Sequence, residues 1–256
     1  MKKALGLILL LALGLFAVSG CNQSSSGGSS TPTVPASTVA SDLGTMARFS
    51  LDMDNQILGV ISIAGVAGAR AMAPSTPTYA NSWWTSTDSY SSSGMTYDKE
   101  FNFRVWDTGG SEITTIAGLQ GISSSADLSA LWTYTSITYT FSGGSYTIKY
   151  GTSTGDPLKF TGYNTASPTI SGPLSFSSSY QGTSYSVTFT YGNLTMATGG
   201  YPNGTISWSM SENSSEVAAG SIAFNGTAVC TITFTSGLSG TYQYNIDTGA
   251  IVTSAY

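Results

Sequence analysis

The sequence contains no histidine, only two cysteines, and just eight lysines and arginines against 13 acidic residues in 256. Each shortage removes a class of chemistry. Without histidine the chain lacks the commonest base near neutral pH, and it cannot assemble a Ser-His-Asp triad. The usual zinc and copper sites need imidazoles or several thiolates, so no metal and no cofactor is expected. Charged residues make up 8% of the chain, against about a quarter in ordinary domains. The charge balance is acidic, so the basic footprint of a nucleic-acid partner is missing. Ser, Thr, Gly and Tyr are abundant, and solubility must rest on hydroxyl groups.

What is present begins at the N-terminus. Lys2 and Lys3 precede an apolar run from Ala4 to Val18, and small residues Ser19 and Gly20 stand just before Cys21. That is the pattern of a secretory signal, and the run is shorter than the ~20 residues a spanning helix needs. Val18-Ser19-Gly20-Cys21 resembles the lipobox of bacterial lipoproteins. The resemblance covers residues 1–21 only; no family resemblance extends to the rest of the chain. It implies cleavage before Cys21, diacylglycerylation of its thiol and anchoring to a membrane through acyl chains, each buried methylene contributing about 0.8 kcal/mol. Asn22, where enteric inner-membrane lipoproteins carry aspartate, implies the outer membrane. Loss of Lys2 and Lys3 leaves six cations against 13 acids, so the formal charge falls from −5 to −7. With Cys21 acylated, Cys230 has no partner for an internal disulfide.

Residues 21–41 read as the lipidated cysteine and a Ser/Gly/Pro tether, too poor in apolar surface to order itself. Residues 42–256 then form one β-rich domain. Asp42 reads as the N-cap of a helix over about 42–70, with Leu43, Met46, Phe49, Met53, Ile57, Val60 and Ile61 recurring every three or four positions. After Pro77 the period becomes two. In GTSYSVTFTYG, Tyr185, Val187, Phe189 and Tyr191 share one face, and Ser184, Ser186, Thr188 and Thr190 the other. Similar alternation runs through Phe101-Phe103-Val105, Tyr146-Ile148-Tyr150, Ile206-Trp208-Met210, Cys230-Ile232-Phe234 and Tyr242-Tyr244-Ile246. The fold expected is mainly β: an antiparallel meander, forming a curved sheet or sandwich, with one dry and one hydroxyl-lined face, packed on one N-terminal helix. Turns are expected at Gly109-Gly110, Gly143-Gly144, Asn203-Gly204, Asn225-Gly226, Ser239-Gly240 and Asp247-Thr248-Gly249, and a short helical turn over Ser125–Leu131 with Asp127 near its start. The strands read as mostly shorter than the 9 to 11 residues that cross a bilayer, against a membrane barrel.

Several motifs mislead. Gly151-Thr152-Ser153-Thr154-Gly155 matches a nucleophile elbow, but Asp156-Pro157 reads as a turn where a helix should start. Asp52-Met53-Asp54-Asn55 opens like a calcium loop, yet Ile57 and Ile63 stand where glycine and glutamate belong. Asp98 and Glu100 share one side of a strand with Arg104; paired carboxylates run glycoside hydrolysis, and here a solvated, salt-bridged surface with Lys99 is the simpler reading. The four Asn-x-Ser/Thr triplets read as turns. Trp83-Trp84 and the tyrosines read chiefly as core, with a sugar- or ligand-stacking surface as the other role open to them. Function is therefore expected to be that of a non-catalytic structural or binding module of the cell envelope. The alternative is a carrier of lipid or another hydrophobic ligand between sheet and helix.

Overall fold

The computed structural model describes residues 35–51, 76–92, 94–196 and 200–255. The expected signal, Cys21 and most of the tether lie outside them, as do the Asp52–Asn55 motif and the helix continuation to about residue 70. Helix α1 spans Ala36–Leu51, so it starts six residues before Asp42. The Pro35 carbonyl accepts from the N–H groups of Thr38 at 2.9 Å and Val39 at 3.3 Å. Proline suits that place, since its missing N–H is one a helix start does not use. Asp42 is thus inside the helix and not its cap, half-buried, with its carboxyl pKa raised by desolvation. Ser37, Thr38 and Ser41 made the stretch read as tether. Val39, Ala40, Leu43, Met46 and Ala47 nevertheless form one buried stripe, and packing of that stripe outweighs weak local propensity.

Fourteen strands follow: β1 (Thr78–Ala80), β2 (Trp83–Ser92), β3 (Met95–Asp107), β4 (Leu128–Thr133), β5 (Thr135–Phe141), β6 (Gly144–Tyr150), β7 (Leu158–Thr161), β8 (Thr169–Tyr180), β9 (Thr183–Met196), β10 (Pro202–Glu212), β11 (Ser215–Asn225), β12 (Val229–Ser236), β13 (Thr241–Asn245) and β14 (Ala250–Ala255). All belong to one antiparallel sheet. Register reduces it to a simple meander. Strand β3 pairs Phe103 with Thr133 of β4 and Glu100 with Ser136 of β5, three residues apart on both sides, so β4 and β5 are one file interrupted at Tyr134. Strand β8 pairs Leu174 with Tyr150 of β6 and Ser171 with Lys159 of β7, so three steps on β8 answer nine on the neighbour. Strands β6 and β7 are therefore one file with a six-residue excursion. Every file then neighbours the next in sequence, twelve in all, and β1 and β14 end the order.

The excursion is the Gly151-Thr152-Ser153-Thr154-Gly155 segment. Gly151 holds φ +73° and donates its N–H to Pro173 O at 2.8 Å. A Cβ there would stand 2.5 Å from Thr133 O, so glycine is required on both counts. No helix follows; β7 does, which excludes an elbow.

The expected hairpins form at Gly143-Gly144, Asn225-Gly226, Ser239-Gly240 and Asp247–Gly249, and Gly109-Gly110 turns β3 back on itself through the Trp106–Glu112 bridge. Asn203-Gly204 is no turn. It lies inside β10 at a register shift, with Gly204 at φ +128°, and serves as a bulge. Asn193, at φ 60° inside β9, is likewise not a hairpin turn. The Ser125–Leu131 expectation shrinks to a 3₁₀ turn over Ser125–Asp127, because Leu128 already belongs to β4. Asp127 closes that turn, accepting from Ser123 N and Ser124 N at 2.8 Å each. A short helix α2 (Ile116–Gln120), capped by the Thr115 hydroxyl, precedes it.

Strands β2, β3, β8, β9, β10 and β11 have 10 to 14 residues, longer than expected and long enough to span a bilayer. Their faces argue otherwise. The apolar face, including Phe103, Leu131, Phe176, Phe189, Ile206, Ile222 and Ile232, is buried in one core with the α1 stripe, and the opposite face is hydroxylic, the reverse of a lipid-facing band.

Helix and sheet meet closely at Gly44, whose built Cβ would stand 2.5–2.7 Å from ring carbons of fully buried Tyr244. The Thr45 hydroxyl lies 3.2 Å from the Tyr244 hydroxyl. Gly44→Val forces this contact apart and is expected to cost about 1–3 kcal/mol, as overpacking does, read as a lower urea midpoint with unchanged slope. An unchanged midpoint would mean that α1 does not dock as described.

Candidate functional site

Alternation places each side chain on one of two faces, and the sheet carries chemistry on both. On the outer face, Arg104 pairs across to Trp132, and Trp132 to Lys159. Trp83 is next to them in register on β2, so aromatic, cation, aromatic and cation alternate across four files. Arg104 holds Glu112 in a two-pronged ion pair, Nε to Oε1 at 2.8 Å and Nη2 to Oε2 at 2.7 Å. The pairing raises the guanidinium pKa and lowers that of the Glu112 carboxyl, chiefly through these hydrogen bonds. The guanidinium carbon lies 5.0 Å from the Trp106 ring centre, 5.5 Å from Trp132 and 5.9 Å from Trp83. Lys159 Nζ lies 4.7 Å from the Trp132 ring. Trp106 and Trp132 are 4.8 Å apart between centres, and Trp83 meets Tyr134 edge-on at 4.6 Å. Trp106, Trp132, Tyr134, Arg104 and Lys159 are all partly exposed.

The sequence reading passed over Trp106 and Trp132. The signal was present: in FNFRVWD the core phase is Phe101, Phe103 and Val105, so Trp106 stands in the wet phase, and Trp132 does the same beside Leu131. An aromatic in the hydroxyl phase of a strand is the anomaly to look for. Of the adjacent tryptophans, Trp84 is core, donating its indole N–H to Ile113 O at 2.7 Å, while Trp83 lies on the opposite face, itself buried beneath Tyr134 and Arg104.

Elsewhere the outer face is a hydroxyl mosaic. Ser145, Ser177, Ser179, Ser184, Ser186 and Ser211 line a shallow cavity of about 200 Å³ where short side chains leave a dip in the sheet.

Asp98 and Glu100 do share this face, as expected, but not as a salt-bridged pair. Asp98 accepts from Ser89 at 2.6 Å and Glu100 from Asn102 at 3.0 Å, both exposed. Arg104 chooses Glu112, brought in by the turn at Gly109-Gly110, and Lys99 points to the other face. The Arg104–Glu112 pair is the one salt bridge among the described residues. In the Gly151–Gly155 segment, Ser153 Oγ accepts from Gly155 N at 3.3 Å and has no base beside it.

The dry face is not uniformly apolar. Lys99 enters it with Nζ 4.5 Å from the Phe101 ring, and burial lowers its pKa to about 8, opposed only by Asp88. Tyr97, Tyr139, Tyr146 and Tyr150 gather in the same region, their phenols raised by desolvation. Tyr146 pairs directly with Ser178, and both hydroxyls are buried without a hydrogen-bond partner. Cys230 is fully buried on this face, its thiol pushed up to about 11 by desolvation, and behaves as a small hydrophobe. Among the described residues no group of three or more metal-ligating side chains forms. No protein-family model, curated protein or solved structure matches the chain.

Lys99 yields a pH signature. Its folded pKa lies below the unfolded 10.5, so between about pH 8 and 10.5 the unfolded chain holds more proton and this group makes stability rise with pH. Cys230, raised from 9.0 to about 11, acts oppositely above pH 9. A difference measurement removes that term. Lys99→Met is expected to be more stable than the parent in urea at pH 7, with the gap narrowing by pH 9.5. A gap independent of pH would show that the ammonium is not desolvated.

Proposed function

We propose that this chain is a lipid-anchored, extracytoplasmic and non-catalytic binding module of a bacterial envelope, held through Cys21 to a membrane, the outer one by the Asn22 rule. The observation that carries the binding reading is the division of one sheet between two solvents. Its dry face is used up in packing, and its wet face carries a cluster in which Trp106, Trp132, Tyr134, Arg104 and Lys159 are partly exposed around a buried Trp83. Such clusters are expensive to leave exposed on a hydroxylic surface without a partner. Among the described residues Asp98, Glu100 and Glu112 are held by serine, asparagine and arginine, which supports binding over hydrolysis.

The anchor rests on Val18, Ser19, Gly20 and Cys21. Cys21→Ser is expected to abolish incorporation of an alkyne-tagged fatty acid and to move the protein from the membrane pellet to the soluble fraction. Retention of both label and membrane location would remove the anchor from this reading.

One observation favours the alternative, a carrier of a lipid or other hydrophobic ligand. The paired hydroxyls of Tyr146 and Ser178 lie unsatisfied inside the dry face, and buried polar groups ordinarily have partners. Native mass spectrometry of the detergent-extracted protein, with organic extraction of what it carries, separates the two. A mass equal to the acylated chain alone is expected. A stoichiometric apolar ligand lost on Tyr146→Phe would establish the carrier instead.

A further inference from the structure

We infer that the outer-face cluster is a docking platform for an acidic polysaccharide, a chain of sugars some of which bear carboxylates. The inference rests on the binding-module reading above and names the partner of its wet face.

The ligand class follows from what the cluster offers and what it lacks. Arg104, Trp132 and Lys159 cross three successive files at ~4.8 Å per file, giving a row of about 10 Å flanked by partly exposed Trp106 and Tyr134, long enough for about two sugar rings. Aromatic faces accept the apolar C–H faces of pyranose rings, and the surrounding serines and threonines can both donate to and accept from sugar hydroxyls. The cluster's available polar groups are donors. Arg104 is already matched to Glu112, but Lys159 has its ring contact and no carboxylate. Arg104 offsets Glu112 and Glu100 is held by Asn102, so Lys159 is the cluster's unmatched cation. An acceptor-rich, ring-faced, carboxylate-bearing partner completes these groups.

The other outer-face candidate, the serine-lined dip, has Tyr185 as its one ring and no charged side chain in its lining. It can follow the same chain as a hydroxyl track but would not by itself discriminate acidic from neutral sugars. Nucleic acid carries a phosphate on every nucleotide and is held through several cations, whereas this cluster offers one unmatched cation beside its rings.

The test uses the mature acylated protein in detergent micelles, titrated with polygalacturonate, dextran and poly-glutamate while intrinsic tryptophan fluorescence is followed. Polygalacturonate is expected to shift the emission and bind at least tenfold more tightly than either of the others. Lys159→Gln should erase the preference over dextran, and Trp132→Ala should reduce binding tenfold or more. Trp132→Phe, which keeps a ring, should retain most of the affinity and guards against a folding artefact, with circular dichroism and urea midpoint as controls. Equal binding to dextran, equal binding to poly-glutamate, no binding at all, or full affinity in Lys159→Gln would each overturn the inference. Because membrane retention and native mass do not depend on sugar, failure here leaves the anchored-module reading standing on its own tests.

Discussion

The pleat of a β-strand sends successive side chains to opposite faces, and in this chain the buried apolar residues of successive files from β2 to β13 keep to one face. Everything else depends on that agreement. Cross-strand partners such as Phe176 and Val187, Phe189 and Trp208, and Ile222 and Ile232 meet on one face, so each file extends a single core rather than starting its own. A slip of one residue anywhere would turn that file's aromatics to water. Slips are absorbed instead at bulges, at Asn203 to Ile206 and at Ile170 to Gly172, and in the Gly151–Pro157 excursion, where the chain leaves the ladder and returns in phase.

The constraint also explains how a sheet with so few charges, and no disulfide among the described residues, holds together. Stability comes from a continuous apolar face, closed against α1 through Gly44 and Tyr244, while serine and threonine supply hydration on the other side. Charge is used sparingly and each case is specific. Arg104 is clamped by Glu112 and surrounded by indoles, which ties β3 to the turn beyond it. Lys99 is the exception, an ammonium on the dry face that burial has brought near neutrality at moderately alkaline pH.

Much of this was legible in the residues. Period-two alternation and the Asn225-Gly226 turn were sufficient for an antiparallel meander with one dry face, and both are observed. The helix boundary was not legible, because capping propensity at Asp42 competed with a proline start seven residues earlier, and tertiary burial of Val39 and Ala40 settled the contest. Asn203-Gly204 looked identical to a hairpin turn in sequence. Which of a turn or a bulge forms depends on whether the partner strands continue past it, and that is a property of pairing. The candidate site was half visible: Trp83 was noted, while Trp106 and Trp132 were hidden because attention to apolar residues alone ignores their phase.

The sequence by itself determined the two faces of its clearly alternating strands, such as Tyr185–Tyr191 and Ile206–Met210, the absence of histidine chemistry and the lipobox pattern at Cys21, because these follow from residue type and from spacing along the chain. Only the tertiary structure decided that Arg104 pairs with Glu112 and not with Glu100, that Trp106 and Trp132 meet across β3 and β4, and that Lys159 joins them from a strand reached after a six-residue excursion. Those are contacts between files, set by register, and register is fixed when backbone hydrogen bonds and a shared core select one alignment among several the local sequence allows.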